Sequence, residues 1–174
     1  MAEAAFNPER ISIGLLGYGT VGSNVYRLLQ EQAGEIEKAT GAAIAIKKIL
    51  VKDTSHPRSG APADAFTDNF DEILNDSDIS MLVELIGGVD PAFEYINSAL
   101  DAGMSVVTAN KQLLSQKGSH LFKHAQEKKT QIRFEASVAG AIPAIKVMRE
   151  SMVAADLRSV YGIVNGTTNY ILTE

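Results

Sequence analysis

The 174-residue chain is long enough for one sizeable domain, or for one and the beginning of another. Apolar residues make up 45% and charged residues 21%, which excludes a disordered chain; 16 Lys plus Arg against 21 Asp plus Glu give a charge of −5 with no basic block, which argues against a nucleic-acid partner. Cysteine is absent, and with it disulfides, thiolate metal sites and thiol nucleophiles. The longest charge-free stretches, 11–26 and 159–173, are shorter than the roughly 20 apolar residues a membrane helix needs. The leader 1–10 (MAEAAFNPER) has neither a basic nor an apolar signal region, so the expectation is a cytoplasmic protein with no membrane partner.

After the leader, ISIGLL (11–16) reads as a buried strand, and Val21, Val25, Leu28 and Leu29 mark one face of a helix over 21–35. Gly41 separates this from a second strand, 42–53, ending at Lys52 and Asp53. Pro57, Gly60 and Pro62 make 54–67 a loop, and 68–75 a short helix follows. A third strand, 79–86, stops at Gly87 and Gly88; Asp90 as cap and Pro91 at the first helical position open a helix that Gly103 ends. MSVVT (104–108) is a fourth strand, 118–129 a helix, and QIRFEASV (131–138) a fifth strand; a helix over 141–153 and a strand over 157–164 complete the series. Strands alternate with helices throughout, which predicts an α/β, Rossmann-type doubly wound, mostly parallel sheet with helices on both faces. Residues 11–140 would form a dinucleotide-binding domain and 141–174 the beginning of a second, substrate domain, cut short in a strand-to-helix transition.

Gly17, Gly19 and Gly22 fit G-x-G-x-x-G between a strand and a helix, the context that gives this spacing meaning. Gly17 permits the tight turn, Gly19 lets backbone approach a pyrophosphate, and Gly22 lets helix and strand pack closely; the amides of Thr20 and Val21 would face the phosphates. The alternative is a glycine turn that only packs. At the end of the second strand Asp53 suits a ribose 2′-hydroxyl and Lys52 the 2′-phosphate of NADP; NADP is favoured over NAD, and both residues could equally be solvated strand-end charges. Ligands in open α/β sheets gather beyond the carboxyl ends of strands, which singles out Gly87, Thr108 and Lys111, the last as a cation for a substrate oxygen. Beyond Glu135 a run of small residues is a plain turn or a seat of backbone oxygens for a hard cation. His120 and His124 stand at i, i+4, but in a polar run without an accompanying glutamate they read as a solvated helix face.

Together, GLLGYGTVG, VELIGG, VVTANK, EASVAGAIP and VNGTTNYIL, in this order over residues 11–172, closely resemble the amino-terminal half of homoserine dehydrogenase. The resemblance implies NAD(P)-dependent interconversion of aspartate β-semialdehyde and homoserine in an enzyme that is a homo-oligomer. By position it implies Gly17, Gly19, Thr20, Val21 and Gly22 at the pyrophosphate, Lys52 near the adenosine ribose or its phosphate, Thr108 and Lys111 bordering nicotinamide and substrate, and Gly166 and Thr167 entering the substrate domain. It also implies Na+ on backbone oxygens of Glu135, Val138, Gly140 and Ile142, although the match departs mildly around residues 139–142, where glycine is frequent in relatives. The proton-donating lysine and the substrate-gripping acids of the family belong further along than residue 174, so the expectation is a cofactor-binding part that turns over little by itself. Two rivals remain. A phosphorylating semialdehyde dehydrogenase needs a thiol this chain lacks, and a non-catalytic dinucleotide-sensing module gives TANK and NGTTNYIL no reason to coincide.

Overall fold

The computed structural model describes residues 10–140, 142–163 and 166–173, the stretch 166–169 by its backbone alone. Six strands form one sheet: β1 (Arg10–Leu16), β2 (Ala43–Leu50), β3 (Phe66–Thr67), β4 (Ile79–Glu84), β5 (Ser105–Thr108) and β6 (Ile132–Arg133), in the order β3-β2-β1-β4-β5-β6. Every neighbouring pair is parallel. The chain thus winds outward from β1 in one direction, returns to β4 on its other side, and winds outward again, which puts a switch point between β1 and β4.

Two apolar layers cover the sheet. Alternation along β1 sends Leu16 to one face and Ile13 and Leu15 to the other. The first face is covered by α3 (Asp71–Leu74), α4 (Ala92–Asp101) and α5 (Lys111–Glu127), which contribute Ile73, Ile96, Leu100, Leu113 and Leu121, each fully buried. The second is covered by α1 (Thr20–Glu31), which contributes Tyr26, with Val25 and Leu29 packed around it. Helices therefore lie on both faces, as the strand–helix alternation predicts.

The expected helix over 21–35 divides into α1 and α2 (Ala33–Thr40). Gln32 leaves the helical basin at φ −106°, ψ 13°, where Gly34 weakens continuation, and α2 stops at Gly41 with φ +74°. β2 ends at Leu50, so Lys52 and Asp53 lie in the following loop, which carries a 3₁₀ turn (Ala63–Ala65) and β3. The third strand ends at Glu84, two residues early, because its side chain takes the amides of Ile86 and Gly87 out of the ladder. Asp90 makes no capping bond: α4 begins at Ala92, after a cis Asp90–Pro91 peptide. α5 begins at Lys111, seven residues before the expected start, because Asn110 Oδ1 accepts the Leu113 amide at 3.1 Å.

The expected strand 131–138 keeps only β6 before a 3₁₀ turn (Glu135–Ser137), where Ser137 donates its hydroxyl to the Phe134 carbonyl at 2.6 Å. In place of a helix over 141–153 there is a short α6 (Ala144–Lys146) continued by a π-helical turn (Val147–Ser151). The expected strand 157–164 is not formed: residues 157–163 have no regular structure and are exposed, with no strand beside them among the described residues, and Val164 lies outside those. A last helix, α7, spans Gly166–Thr173.

Candidate functional site: a cofactor crevice at the sheet switch point

The crevice opens where the β1–α1 turn meets the end of β4. Gly17 has φ +97°, a conformation open to glycine, and a Cβ there would also press on the Leu85 carbonyl oxygen at 3.0 Å. A Cβ on Gly22 would run into the carbonyl of Gly17, so only glycine lets α1 start this close to β1. Around Gly19 nothing stands within 4 Å of the added carbon: the backbone there faces open space. α1 has no side-chain cap and no acidic residue in its first turn, which leaves its first amides, among them those of Thr20 and Val21, for an anion. A diphosphate fits this cradle by shape and by charge.

On one flank, the loop after β2 is tied to this turn. The Tyr18 hydroxyl donates to the Ser59 carbonyl at 3.2 Å, and its ring meets Phe66 edge-on at 5.0 Å. Burial, with Tyr26 nearby, raises the Tyr18 pKa above its usual value. Asp53 accepts the Ser55 amide at 2.8 Å and meets His56 Nδ1 at 2.7 Å. Ser55, then His56, hold its carboxyl down at about 2. That carboxylate is occupied within its own turn, whereas Lys52 is exposed. Arg58, which the sequence did not single out, donates to the Asp53 carbonyl at 2.7 Å and lies over the Phe66 ring at 5.7 Å. A guanidinium has five donors, and Arg58 spends one nitrogen here on carbonyls.

On the other flank, Gly87 and Gly88 turn with φ +73° and +74°. Thr108 is fully buried below this turn: it donates its hydroxyl to Glu84 Oε2 at 2.6 Å and accepts the Asn110 amide at 3.0 Å. The Thr108 side chain is thus structural support under the crevice and not part of its surface. Asn110 Nδ2 donates to the Gly88 carbonyl at 2.6 Å, which pins the start of α5 to the glycine turn. Lys111 is exposed at the first position of α5, where the helix dipole disfavours a cation. Its presence there is not explained by helix stability. Glu84 is the residue sequence reasoning missed; an acid inside the apolar run ISMLVELI, directly before two glycines, was the available signal.

Around residue 135, the Glu135 carbonyl accepts the Val138 amide at 3.1 Å and the Ile142 carbonyl accepts the Ala144 amide at 2.8 Å, leaving each one lone pair. Ala139 and Gly140 both have positive φ, 57° and 61°, which bends the chain sharply between those carbonyls. The Glu135 carboxylate accepts the Ile145 and Lys146 amides at 3.1 and 2.8 Å, holding α6. His124 is not a solvated residue: Nδ1 meets Asn97 at 2.7 Å and Nε2 meets Asp101 at 3.0 Å, while the His120 ring packs near Phe93. Among the described residues no cluster of three His, Cys, Asp or Glu is placed to hold a metal ion, and no helix is long and apolar enough to cross a membrane. Gly166 and Thr167 open α7; their side chains are outside the described set.

A parallel sheet in this order, with a glycine turn at its switch point, defines a dinucleotide-binding domain of the Rossmann type. Residues 17–135 match the family model described as the homoserine dehydrogenase NAD-binding domain, and 143–174 match the homoserine dehydrogenase model. The chain belongs to the homoserine dehydrogenase family. It is 41% identical over 167 residues to the homoserine dehydrogenase of Bacillus subtilis, covering 95% of this chain and 39% of that protein. For the Corynebacterium glutamicum homoserine dehydrogenase the values are 40% identity, 97% and 39%. The crystal structure of a homoserine dehydrogenase from Thiobacillus denitrificans superimposes with a TM-score of 0.88 at 40% identity, covering 94% of this chain and 38% of that one. The chain thus spans about two-fifths of the length of these relatives.

Proposed function

We propose that this chain is the cofactor-binding part of an enzyme that interconverts aspartate β-semialdehyde and homoserine with NADP or NAD. The observation that carries the reading is the open space over Gly19, bounded by two glycines that cannot bear a side chain. When bound, the nicotinamide supplies hydride exchange with the substrate carbon. Gly17, Gly19, Thr20, Val21 and Gly22 bind the diphosphate through backbone. Gly87 bounds the nicotinamide end, with Thr108 beneath it. Lys111 stabilises negative charge on the substrate oxygen. Gly166 and Thr167 approach the same end from the substrate-domain side, with 11–140 and 141–174 as the two domains. The separate family-model matches over 17–135 and 143–174 support that division.

NADP is favoured because Asp53 is engaged by Ser55 and His56, while Lys52 and Arg58 offer positive charge beside it. A sodium ion on backbone oxygens of Glu135, Val138, Gly140 and Ile142 is supported by the remaining lone pairs and the sharp bend at 139–140. We further infer a cytoplasmic, homo-oligomeric enzyme, and little turnover from these 174 residues by themselves. Calorimetric titration with NADPH, NADH and ATP tests the reading. Tightest binding is expected for NADPH, with Arg58→Ala losing most of its preference over NADH. Tighter binding of ATP than of either dinucleotide would establish the nucleotide-sensing alternative instead.

A further inference from the structure

Glu84, the last residue of β4, is fully buried. Among the described residues it forms no ion pair: its partners are all neutral donors. Oε1 accepts the amides of Ile86 at 3.0 Å and Gly87 at 3.1 Å and lies 3.5 Å from Asn110 Nδ2, and Oε2 accepts the Thr108 hydroxyl at 2.6 Å. Burying a carboxylate without a cation is unfavourable unless its lone pairs are filled, and an apolar residue of like size usually serves stability as well or better. The fully bonded acid must therefore accomplish something that apolar packing cannot. What it joins gives the answer. One oxygen fixes the turn at Gly87 and Gly88, the other fixes Thr108, and Asn110 closes the ring by donating to the Gly88 carbonyl. The two loops that flank the nicotinamide end, one carrying Gly87 and one carrying Lys111, are locked to each other through the Glu84 and Asn110 side chains, and Glu84 alone reaches the turn amides and Thr108 at once.

We propose that Glu84 is a positioning residue that holds the glycine turn after β4 and the Lys111 end of α5 as one rigid unit for the nicotinamide half of the cofactor. The proposal rests on the cofactor reading above. A glutamine has one acceptor oxygen and one donor amide, so Glu84→Gln either sets its NH2 against the Ile86 and Gly87 amides or turns it to Thr108, whose hydroxyl proton then loses its acceptor. Thr108→Val keeps the shape and removes the Oε2 arm together with the acceptor of the Asn110 amide, while leaving the Oε1 bonds to Ile86 and Gly87 in place.

The test compares the protein with both variants in binding NADPH or NADH, whichever binds tighter, and the matching ADP-ribose or 2′-phospho-ADP-ribose, which lacks the nicotinamide. Glu84→Gln is expected to weaken the intact dinucleotide by about tenfold and the fragment by no more than about twofold. Amide hydrogen exchange at Ile86 and Gly87 should accelerate in the same variant. Equal loss for both ligands, or no loss for either, overturns the proposal, since general destabilisation does not distinguish the halves of the cofactor. Should Glu84→Gln fail to fold, Thr108→Val decides: selective loss of about threefold for the intact dinucleotide supports the proposal, and none overturns it. An unaltered protein that binds neither dinucleotide overturns the cofactor reading itself, and this inference with it.

Discussion

Gly19 and Gly22 sit three positions apart and are needed for opposite reasons. One leaves a space empty for a ligand; the other lets two pieces of backbone touch. Gly19→Ala should therefore fold with a loss of about 1 kcal/mol or less, the usual range for a changed N-cap, while its dinucleotide affinity drops at least about tenfold. Gly22→Ala forces α1 away from β1 and should cost about 1–3 kcal/mol of stability as well as cofactor affinity. Urea melts and fluorescence titration of the two variants separate these effects. Lys111→Met removes a cation from the dipole-disfavoured end of α5, so stability should rise by about 0.3–1 kcal/mol. On the function proposed above, the same change in the enzyme of which this chain would be the cofactor-binding part should lower homoserine oxidation by about 10²–10³. The glycines were legible because their spacing has one mechanical meaning between a strand and a helix. Arg58 was not, since a lone arginine in a Pro- and Gly-rich loop carries no periodicity and its placement comes from a contact with Phe66 at the far end of the same loop.

Between elements, the best-defined polar link joins α4 to α5. Asp101 receives Lys128 Nζ at 2.7 Å and His124 Nε2 at 3.0 Å, and these two, Lys128 first, hold its carboxyl below the usual range. Asp76 behaves alike where β2 meets the turn before β4: burial pushes its carboxyl up, but Lys47 and the Asp78 amide together bring it down. A carboxyl with a depressed folded-state pKa stabilises above its unfolded value of about 3.9, and that contribution is lost as pH falls through the folded value. Asp101→Asn should therefore melt below the parent at pH 7, and the gap between the two melting curves should narrow as pH falls through the folded-state value of Asp101. Differential scanning calorimetry across this range checks this. Strand and helix identity was legible from apolar period and glycine stops, as at Gly41 and Gly103. The ends were less so: α5 starts early because Asn110 caps it from a loop position, and β4 ends early because its own glutamate takes the next two amides. Both boundaries are set by side-chain bonds to amides two or three residues further on, which the period of apolar residues does not register.

At the scale of the molecule, order is uneven. The two apolar layers seal the sheet within residues 10–140, whereas Val153, Val160, Tyr161 and Ile163 are 69–91% exposed. Such exposed, irregular backbone is the preferred substrate of proteases. Brief chymotrypsin treatment should cut first within 152–163, at Leu157 or Tyr161, and leave a resistant body that still binds dinucleotide; mass spectrometry of the first fragments tests this. The alternation of strands and helices made the body legible, and the same alternation misled at 157–164, because apolar residues form a strand only where another strand is there to accept their hydrogen bonds. The sheet itself finishes on both sides in strands of two residues, β3 and β6. So short a margin offers a stray chain hardly any amides and carbonyls to zip onto, which guards a long run of parallel pairing against growth into fibrils.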